Sequence, residues 1–420
     1  MKDELFEASL PTYYLSKLAG LTPLKRVKER TQAGIKFKYV NSIFGRIYSV
    51  LIMIVIAIGA TIMITWRIKN TYPKLNKMTV LMTDFCLLLA TSIIAITSIA
   101  KFSMEKFKAI DYLSAISEID EYLLPTTDRI WKNMRIIQFL EIIYIAFYFI
   151  ILFSFQKTVW VLEHGSKNTY HFPISFVIHF VIVVAEIQHF NLILLLKHRF
   201  SVLNSYIKEA KEFYSISGKT QNTWVVMSAR PRKTKLMKNF RCYSRHDWLR
   251  RLKQLRSIND SLCDIASNMN STYGFPILLS VTVTFVSITT CLYFGICFIE
   301  KMKSNLDAKP LIFSLLWASV GFFRLSSINL SCNAASHEAN TSAILLQKIL
   351  LQPDLQHEEV TEVSLFLQQV RNRVVKFTAW DFFTMNSSTL CSTIGCITTY
   401  LVILMQFRNE DITNMTIKET

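Results

Sequence analysis

The sequence is short of the residues that interrupt structure and of those that carry charge. Its 420 residues include 10 Gly and 9 Pro, and 18% are Asp, Glu, Lys or Arg. A water-soluble chain of this length divides into two or three domains and breaks its apolar runs often. A Gly-rich phosphate loop and a G-x-S-x-G nucleophile turn are both missing. His337-Glu338 begins like a zinc-protease helix, but Thr341 stands where the second His is required. His171, His179, His189 and His198 do not recur at one helical spacing, so no converging set of metal ligands is expected. No enzyme activity, cofactor or metal is expected from these absences. Ten-residue alternating segments are also lacking, which excludes a transmembrane barrel, and there is no internal repeat.

What the sequence has instead is apolar length. Uncharged stretches cover Ile47–Trp66, Ser271–Ile299 and Phe382–Phe407. Four more carry one charge each: Met78–Ala100 with Asp84, Ile136–Gln156 with Glu141, Phe172–Leu196 with Glu186, and Pro310–Ser336 with Arg324. Each is long enough to cross a hydrocarbon core of about 30 Å at about 1.5 Å per residue. Backbone polar groups in lipid must be satisfied within the segment, so these are expected to be helices. The expected fold is an all-α integral membrane protein with seven spans.

Lys and Arg set the orientation. Segments 1–43, 101–135, 197–271 and 346–376 hold 34 of them, and segments 67–77, 157–171, 300–309 and 408–420 hold 11. The basic side is expected in the cytoplasm, with the N-terminus inside and the C-terminus outside. The net charge of +17 then reports topology, and no nucleic-acid partner is expected. The first span begins after more than 40 mostly basic residues, too late for a cleaved signal peptide. None of Cys86, Cys242, Cys263, Cys291, Cys297, Cys332, Cys391 and Cys396 falls in an expected external loop, so no external disulfide framework is expected. Asn414-Met-Thr is a glycosylation sequon in the expected external tail.

The chain divides accordingly into a cytoplasmic lead at 1–43, six spans with a long cytoplasmic loop at 197–270 within 44–345, an anchor segment and last span at 346–407, and a tail at 408–420. The middle of the long loop, Ser215–Arg245, is polar and basic and reads as a mobile loop. Its flanks differ. Leu249, Leu252, Leu255, Ile258, Leu262 and Ile265 recur at helical spacing, so spans four and five are expected to continue into the cytoplasm as helices. Leu345–Phe377 reads likewise, with a break at Gln352–Asp354 and a second helix from about Glu358. Phe377–Phe407 reads as helix throughout. On it Ser388, Ser392, Gly395, Thr399, Val402 and Gln406 share one face, small or polar along most of its length. Two readings stay open: a helix–helix packing face, since small residues let membrane helices approach closely, or a pore lining, which needs several copies around an axis.

Thr399-Tyr400-Leu401-Val402-Ile403-Leu404-Met405-Gln406-Phe407 resembles the Thr-Tyr, five apolar, Gln-Phe signature of insect gustatory receptors. The resemblance extends to Phe377-Thr-Ala-Trp-Asp-Phe-Phe-Thr-Met-Asn-Ser-Ser, to Asn270-Ser-Thr-Tyr-Gly-Phe-Pro-Ile-Leu-Leu and to Lys197-His-Arg-Phe-Ser-Val-Leu-Asn. It covers most of the chain and is strongest after about residue 248. It implies a ligand-gated, non-selective cation channel in a sensory neuron membrane, a homo- or heterotetramer with other gustatory receptor subunits whose last helices surround one pore. It further implies a cytoplasmic anchor built from spans four to seven and a pocket for a small-molecule tastant in the outer half of the first six spans. Gln406 and Phe407 match the family's residues at the outer gate, and Ile403 matches the apolar position a turn below. The main sugar-sensing branch tends to place Glu after Thr-Tyr; Leu401 stands here. That leaves bitter-type receptors, the fructose-type branch and internal nutrient or other non-taste roles, with bitter-type favoured. A G-protein-coupled receptor would have an external N-terminus, an Asp-Arg-Tyr at its third span and a loop disulfide, none of which is expected here.

Polar groups inside a span default to functional hypotheses. Asp84 and His179 fall in the outer third of spans two and four, and Trp317 in the upper half of span six with Phe322 and Phe323 below it. An apolar, aromatic site with a few polar groups suits a small organic ligand. The alternative is that Asp84 and His179 satisfy each other or backbone groups and that Trp317 is packing. Glu141, Glu186 and Arg324 lie deeper and are expected to form a buried network.

Overall fold

The computed structural model describes residues 9–31, 34–70, 78–104, 108–123, 128–164, 172–217, 245–301, 308–353 and 355–419. Nearly all of them are helical. Helix α1 (Leu10–Leu18) and strands β1 (Leu24–Thr31) and β2 (Gly34–Asn41) precede α2 (Ile43–Asn70), α3 (Met78–Met104), α4 (Lys108–Leu123) and α5 (Asp128–His164). Then come α6 (Phe172–Ser217), α7 (Arg245–Lys301), α8 (Lys309–Leu350), α9 (His357–Asn372), β3 (Thr378–Ala379), β4 (Phe383–Thr384) and α10 (Ser387–Glu419). Seven of these helices, α2, α3, α5, α6, α7, α8 and α10, are long and apolar enough to cross a membrane.

The outside of the bundle is apolar, as a lipid solvent requires. Ile47, Leu51, Ile54, Ile58 and Ile62 of α2 are exposed on one face, while Ile56, Ala60 and Met63 are buried. Helices α6 and α7 have 46 and 57 residues, about 70 and 85 Å at 1.5 Å per residue. A core of about 30 Å cannot contain them, so both project beyond it, as the leucine spacing predicts. Their projecting parts pack with α4, the end of α8 and α9 and continue the same core beyond the spans; this part is the anchor. Phe200, Leu203, Ile207, Leu252, Leu262, Leu346, Ile349, Val363 and Phe366 are buried there. The basic middle of the long loop, 218–244, lies outside the described residues.

Ion pairs tie the anchor together. Arg199 of α6 is fully buried and holds Asp120 of α4 through two bonds, Nε–Oδ1 at 3.0 Å and Nη2–Oδ2 at 2.6 Å. Arg256 of α7 meets Glu362 of α9 at 2.9 Å. Arg373, just past α9, reaches Asp260 and Asp264 of α7. Hydrogen bonds to Asp264 and Asp260 push its pKa above the ordinary arginine value. Helix α9 starts on a capping box between Gln356 and Glu359, with the Gln356 backbone N–H on Glu359 Oε2 at 2.8 Å.

The lead at 1–43 holds a hairpin: β1 and β2 pair antiparallel from Leu24↔Asn41 to Thr31↔Gly34. Ile35, Phe37 and Tyr39 alternate with lysines, the period of a strand. One expectation is corrected: Phe377–Phe407 is not one helix. Thr378–Ala379 and Phe383–Thr384 form a small antiparallel pair closed by Trp380 and Asp381, both at positive φ (48° and 59°). The helix begins only at Ser387, where Asn386 Oδ1 accepts from the Thr389 backbone N–H at 2.8 Å.

That joint is held by side chains that copy backbone pairing. Asn340 of α8 accepts from Val375 N (3.2 Å) and donates to Val375 O (3.0 Å). Asn270 of α7 donates to Lys376 O (2.6 Å) and accepts from Thr378 N (3.3 Å). Gly274 lets the turn sit directly on α7: a Cβ there would be 2.9 Å from Trp380 N. Phe275 meets the Trp380 ring edge to face at 5.1 Å.

Candidate functional site

Away from the anchor, α5, α6 and α8 present aromatic residues to one another. Tyr148 of α5 is fully buried. Its hydroxyl lies 2.9 Å from Nδ1 of His179 on α6. The Trp317 ring on α8 sits 5.6 Å from Tyr148 and 5.8 Å, edge on, from His179. Trp317 Nε1 donates to Ser287 Oγ of α7 at 3.3 Å. Phe149 and Phe176 extend the cluster. His179 lies seven residues into α6, about 10 Å from its start. About two further turns along, Glu186 forms a floor. Arg324 of α8 grips it through Nε (2.9 Å) and Nη2 (2.6 Å), and Ser280 of α7 donates to the same carboxylate. Buried charges persist only when paired in this way. Three helices thus meet at one carboxylate beneath an aromatic cluster, a set of groups suited to a small, partly polar organic molecule.

The structure brings His179 and Trp317 together. It places Asp84 elsewhere, in an ion pair with Arg67 between α2 and α3, so Asp84 and His179 do not satisfy each other. Phe322 lies about 140° around α8 from Trp317 and is 42% exposed. The expected network is also smaller than read: Glu186 and Arg324 pair, whereas Glu141 accepts from Asn191 Nδ2 at 2.9 Å. Sequence reading missed Tyr148. Its signal was present, since Gln138, Glu141, Tyr144, Ile145 and Tyr148 follow the i+3/i+4 spacing that faces α6.

Helix α10 is built differently. Only 6% of its span is buried, against 67% for α6. Thr389, Thr393, Ile397, Leu401 and Met405, four residues apart, are the line that its own subunit covers. Ile397 sits in a cluster with Ile288, Cys291 and Ala318. Ser388, Ser392, Gly395, Thr399, Val402 and Gln406 are all exposed. Gly395 and Thr399 each lie about 200° around the helix from Ile397, so the small stripe faces directly away from the subunit. It is not a packing face within one chain. Ile403 (37%) and Phe407 (63%) flank it and are exposed too. The helix continues to Glu419; the Asn414 side chain lies outside what is described.

The cluster and the helix touch through a shared neighbour. Trp317 packs, partly buried, against the cluster of Ile288, Cys291 and Ala318 to which Ile397 belongs. Phe285 of α7 meets Tyr400 of α10 edge to face at 5.9 Å.

Seven membrane helices, an anchor beyond the bilayer, an aromatic cluster within it and a helix held on one side only define a multi-pass membrane protein of the receptor class. The chain belongs to the 7tm chemosensory receptor family, whose model matches residues 10–410. Among Drosophila melanogaster proteins it is similar to the gustatory receptor for bitter taste 66a, 29% identical over 163 residues (37% of this chain, 30% of that protein). Gustatory receptor 68a is 26% identical over 164 residues (37% and 41%), and the gustatory receptor for sugar taste 43a is 26% identical over 162 (38% and 36%). The matched segments thus span well under half of these relatives. The fold is that of the insect olfactory receptor OR5 from Machilis hrabei, with a TM-score of 0.60 at 12% identity over 94% of this chain and 97% of that one. Its complex with eugenol aligns at 0.62 and 13% identity over 95% and 97%.

Proposed function

We propose that this protein is a tastant-gated, non-selective cation channel of bitter or other non-sugar type. Four subunits, identical or mixed with related ones, place α10 around a central pore. The observation that carries the reading is the geometry of α10. Its subunit holds it by the Ile397 line and leaves Ser392, Gly395, Thr399 and Gln406 facing away. Small and hydroxyl side chains allow close approach and keep a path wettable, while apolar neighbours such as Ile403 and Phe407 can close it by dewetting. The N-terminus and anchor lie in the cytoplasm and Gln406 and Phe407 at the outer mouth, as the Lys and Arg distribution supports. An N-terminal epitope tag accessible on intact cells would overturn that orientation and favour the G-protein-coupled class.

The tastant binds at Tyr148, His179 and Trp317 over the Glu186–Arg324 floor. It opens the channel only if it binds the open arrangement better than the closed one. Trp317 packs against the cluster that includes Ile397, so a shift of Trp317 moves the surface on which α10 rests. Leu401, in place of the Glu typical of the main sugar-sensing branch, supports a non-sugar ligand; OR5's complex with eugenol and the bitter receptor 66a are consistent with small organic compounds. The test is patch-clamp recording against a broad tastant panel. Gln406→Ala and Phe407→Ala are expected to change conductance, leak or ion selectivity, and normal currents from both would sink the gate assignment.

A further inference from the structure

One buried polar cluster belongs neither to the aromatic cluster nor to α10. It lies where α1 enters the bundle between α5 and α6. Asn191 of α6 donates through Nδ2 to Glu141 Oε2 on α5 (2.9 Å) and to Thr12 Oγ1 on α1 (3.2 Å). Its only donor group is therefore used twice. Oδ1 of Asn191 and Oε1 of Glu141 are buried without a hydrogen-bond partner. They belong to two side chains already bonded to each other, so the two oxygens are neighbours. One turn away along α5, Gln138 is 3% exposed, and its Oε1 is likewise unpartnered. One turn along α1 from Thr12, Ser16 is 1% exposed and its hydroxyl is unpartnered.

The chemistry of these atoms selects what fills the gap. Asn191 Oδ1 and Gln138 Oε1 are acceptors that cannot donate, and Glu141 Oε1 is a third when the carboxylate is ionised. Leaving such atoms unpaired in a low-dielectric interior is costly. An anion or another acceptor would worsen the repulsion. One carboxylate neutralises a single positive charge, and divalent ions are held by sites richer in carboxylates. We propose that Glu141, Asn191, Gln138 and Ser16 hold an alkali metal cation that pins α1 to α5 and α6. The site lies within one subunit and away from α10, and it does not depend on the channel reading.

The test uses the purified full-length receptor, with thermal unfolding followed in sodium or potassium chloride and in N-methyl-D-glucamine chloride at equal ionic strength. Exchanging the organic cation for the alkali cation is expected to raise the unfolding midpoint by about 2–4 °C, the shift that mass-action stabilisation by a moderately bound ion gives. Glu141→Gln is expected to remove that shift, since its amide supplies the missing donor in place of the cation. Gln138→Leu, which leaves the carboxylate intact, is expected to move the salt dependence to higher concentration. Ions held in a central pore would stabilise the wild type and Glu141→Gln alike, so a shift that persists unchanged in Glu141→Gln overturns the proposal. A wild-type midpoint indifferent to the cation also overturns it, whichever variants fold, and assigns the gap to water or to a protonated Glu141.

Discussion

Helices α6 and α10 both cross the membrane, yet one is almost enclosed and the other almost bare. Helix α6 is surrounded by α3, α5, α7 and α8, and its fixed points are polar: Glu186 on Arg324, Arg199 on Asp120, and Asn204 on the Glu338 carbonyl at 2.7 Å. Helix α10 has one covered line and no Asp, Glu, Lys or Arg between Ser387 and Phe407. In lipid, apolar contact alone gives helices little reason to associate, so packing and polar bonds decide which helices stay together. The chain has put those bonds into α6, α7, α8 and the anchor, and has left the stripe on α10 uncovered.

Breaking the enclosed region has the largest expected effect. Arg199→Ala leaves Asp120 buried without its partner and is expected to cost about 3–5 kcal/mol, read as loss of monodisperse receptor in fluorescence-detected size exclusion. At the joint between the two regions, Gly274→Ala forces a Cβ against the Trp380 backbone. Overpacking of that kind costs about 1–3 kcal/mol and should lower the unfolding midpoint while also altering gating, because α10 starts from this turn. Arg373→Ala removes the links to Asp260 and Asp264. The site is partly exposed, so the expected loss is below about 1 kcal/mol; retention of wild-type thermal stability within error would show that the Asn340 and Asn270 contacts carry the joint alone. The smallest effect on stability sharpens the contrast most. Thr399→Leu on the exposed stripe is expected to leave subunit stability within about 0.5 kcal/mol, yet to reduce whole-cell current strongly. A destabilised subunit with normal current would reverse the assignment of that face.

Span positions could be read from the sequence because lipid admits few solutions: long uncharged runs and the leucine spacing beyond Trp248 point to one arrangement. The pairing of Glu186 with Arg324 followed from their depth. Glu141 was harder, because its partner Asn191 is neutral and only the rotational phase of α5 against α6 brings them together. The turn at Thr378–Thr384 was hidden by its own aromatics. Phe382 and Phe383 extend an apolar run into what looks like helix, while the stop depends on Trp380 and Asp381 at positive φ and on Asn386 as a cap. Asn386-Ser387-Ser388-Thr389 is rich in capping residues, a signal that hydropathy outweighs. Asn340 and Asn270 gave no warning of their backbone bonds, since such contacts link residues 35 and 106 positions apart.

Holding α10 by a single line of residues also separates two kinds of inherited change. Substitutions around Tyr148, His179 and Trp317 alter the aromatic cluster without touching Ser392, Gly395 or Thr399. Substitutions at the anchor tune how firmly a subunit holds its shape without redrawing either. Under the channel reading proposed above, a lineage of related receptors built this way can diversify what each member detects while its members keep a common surface for assembling with one another.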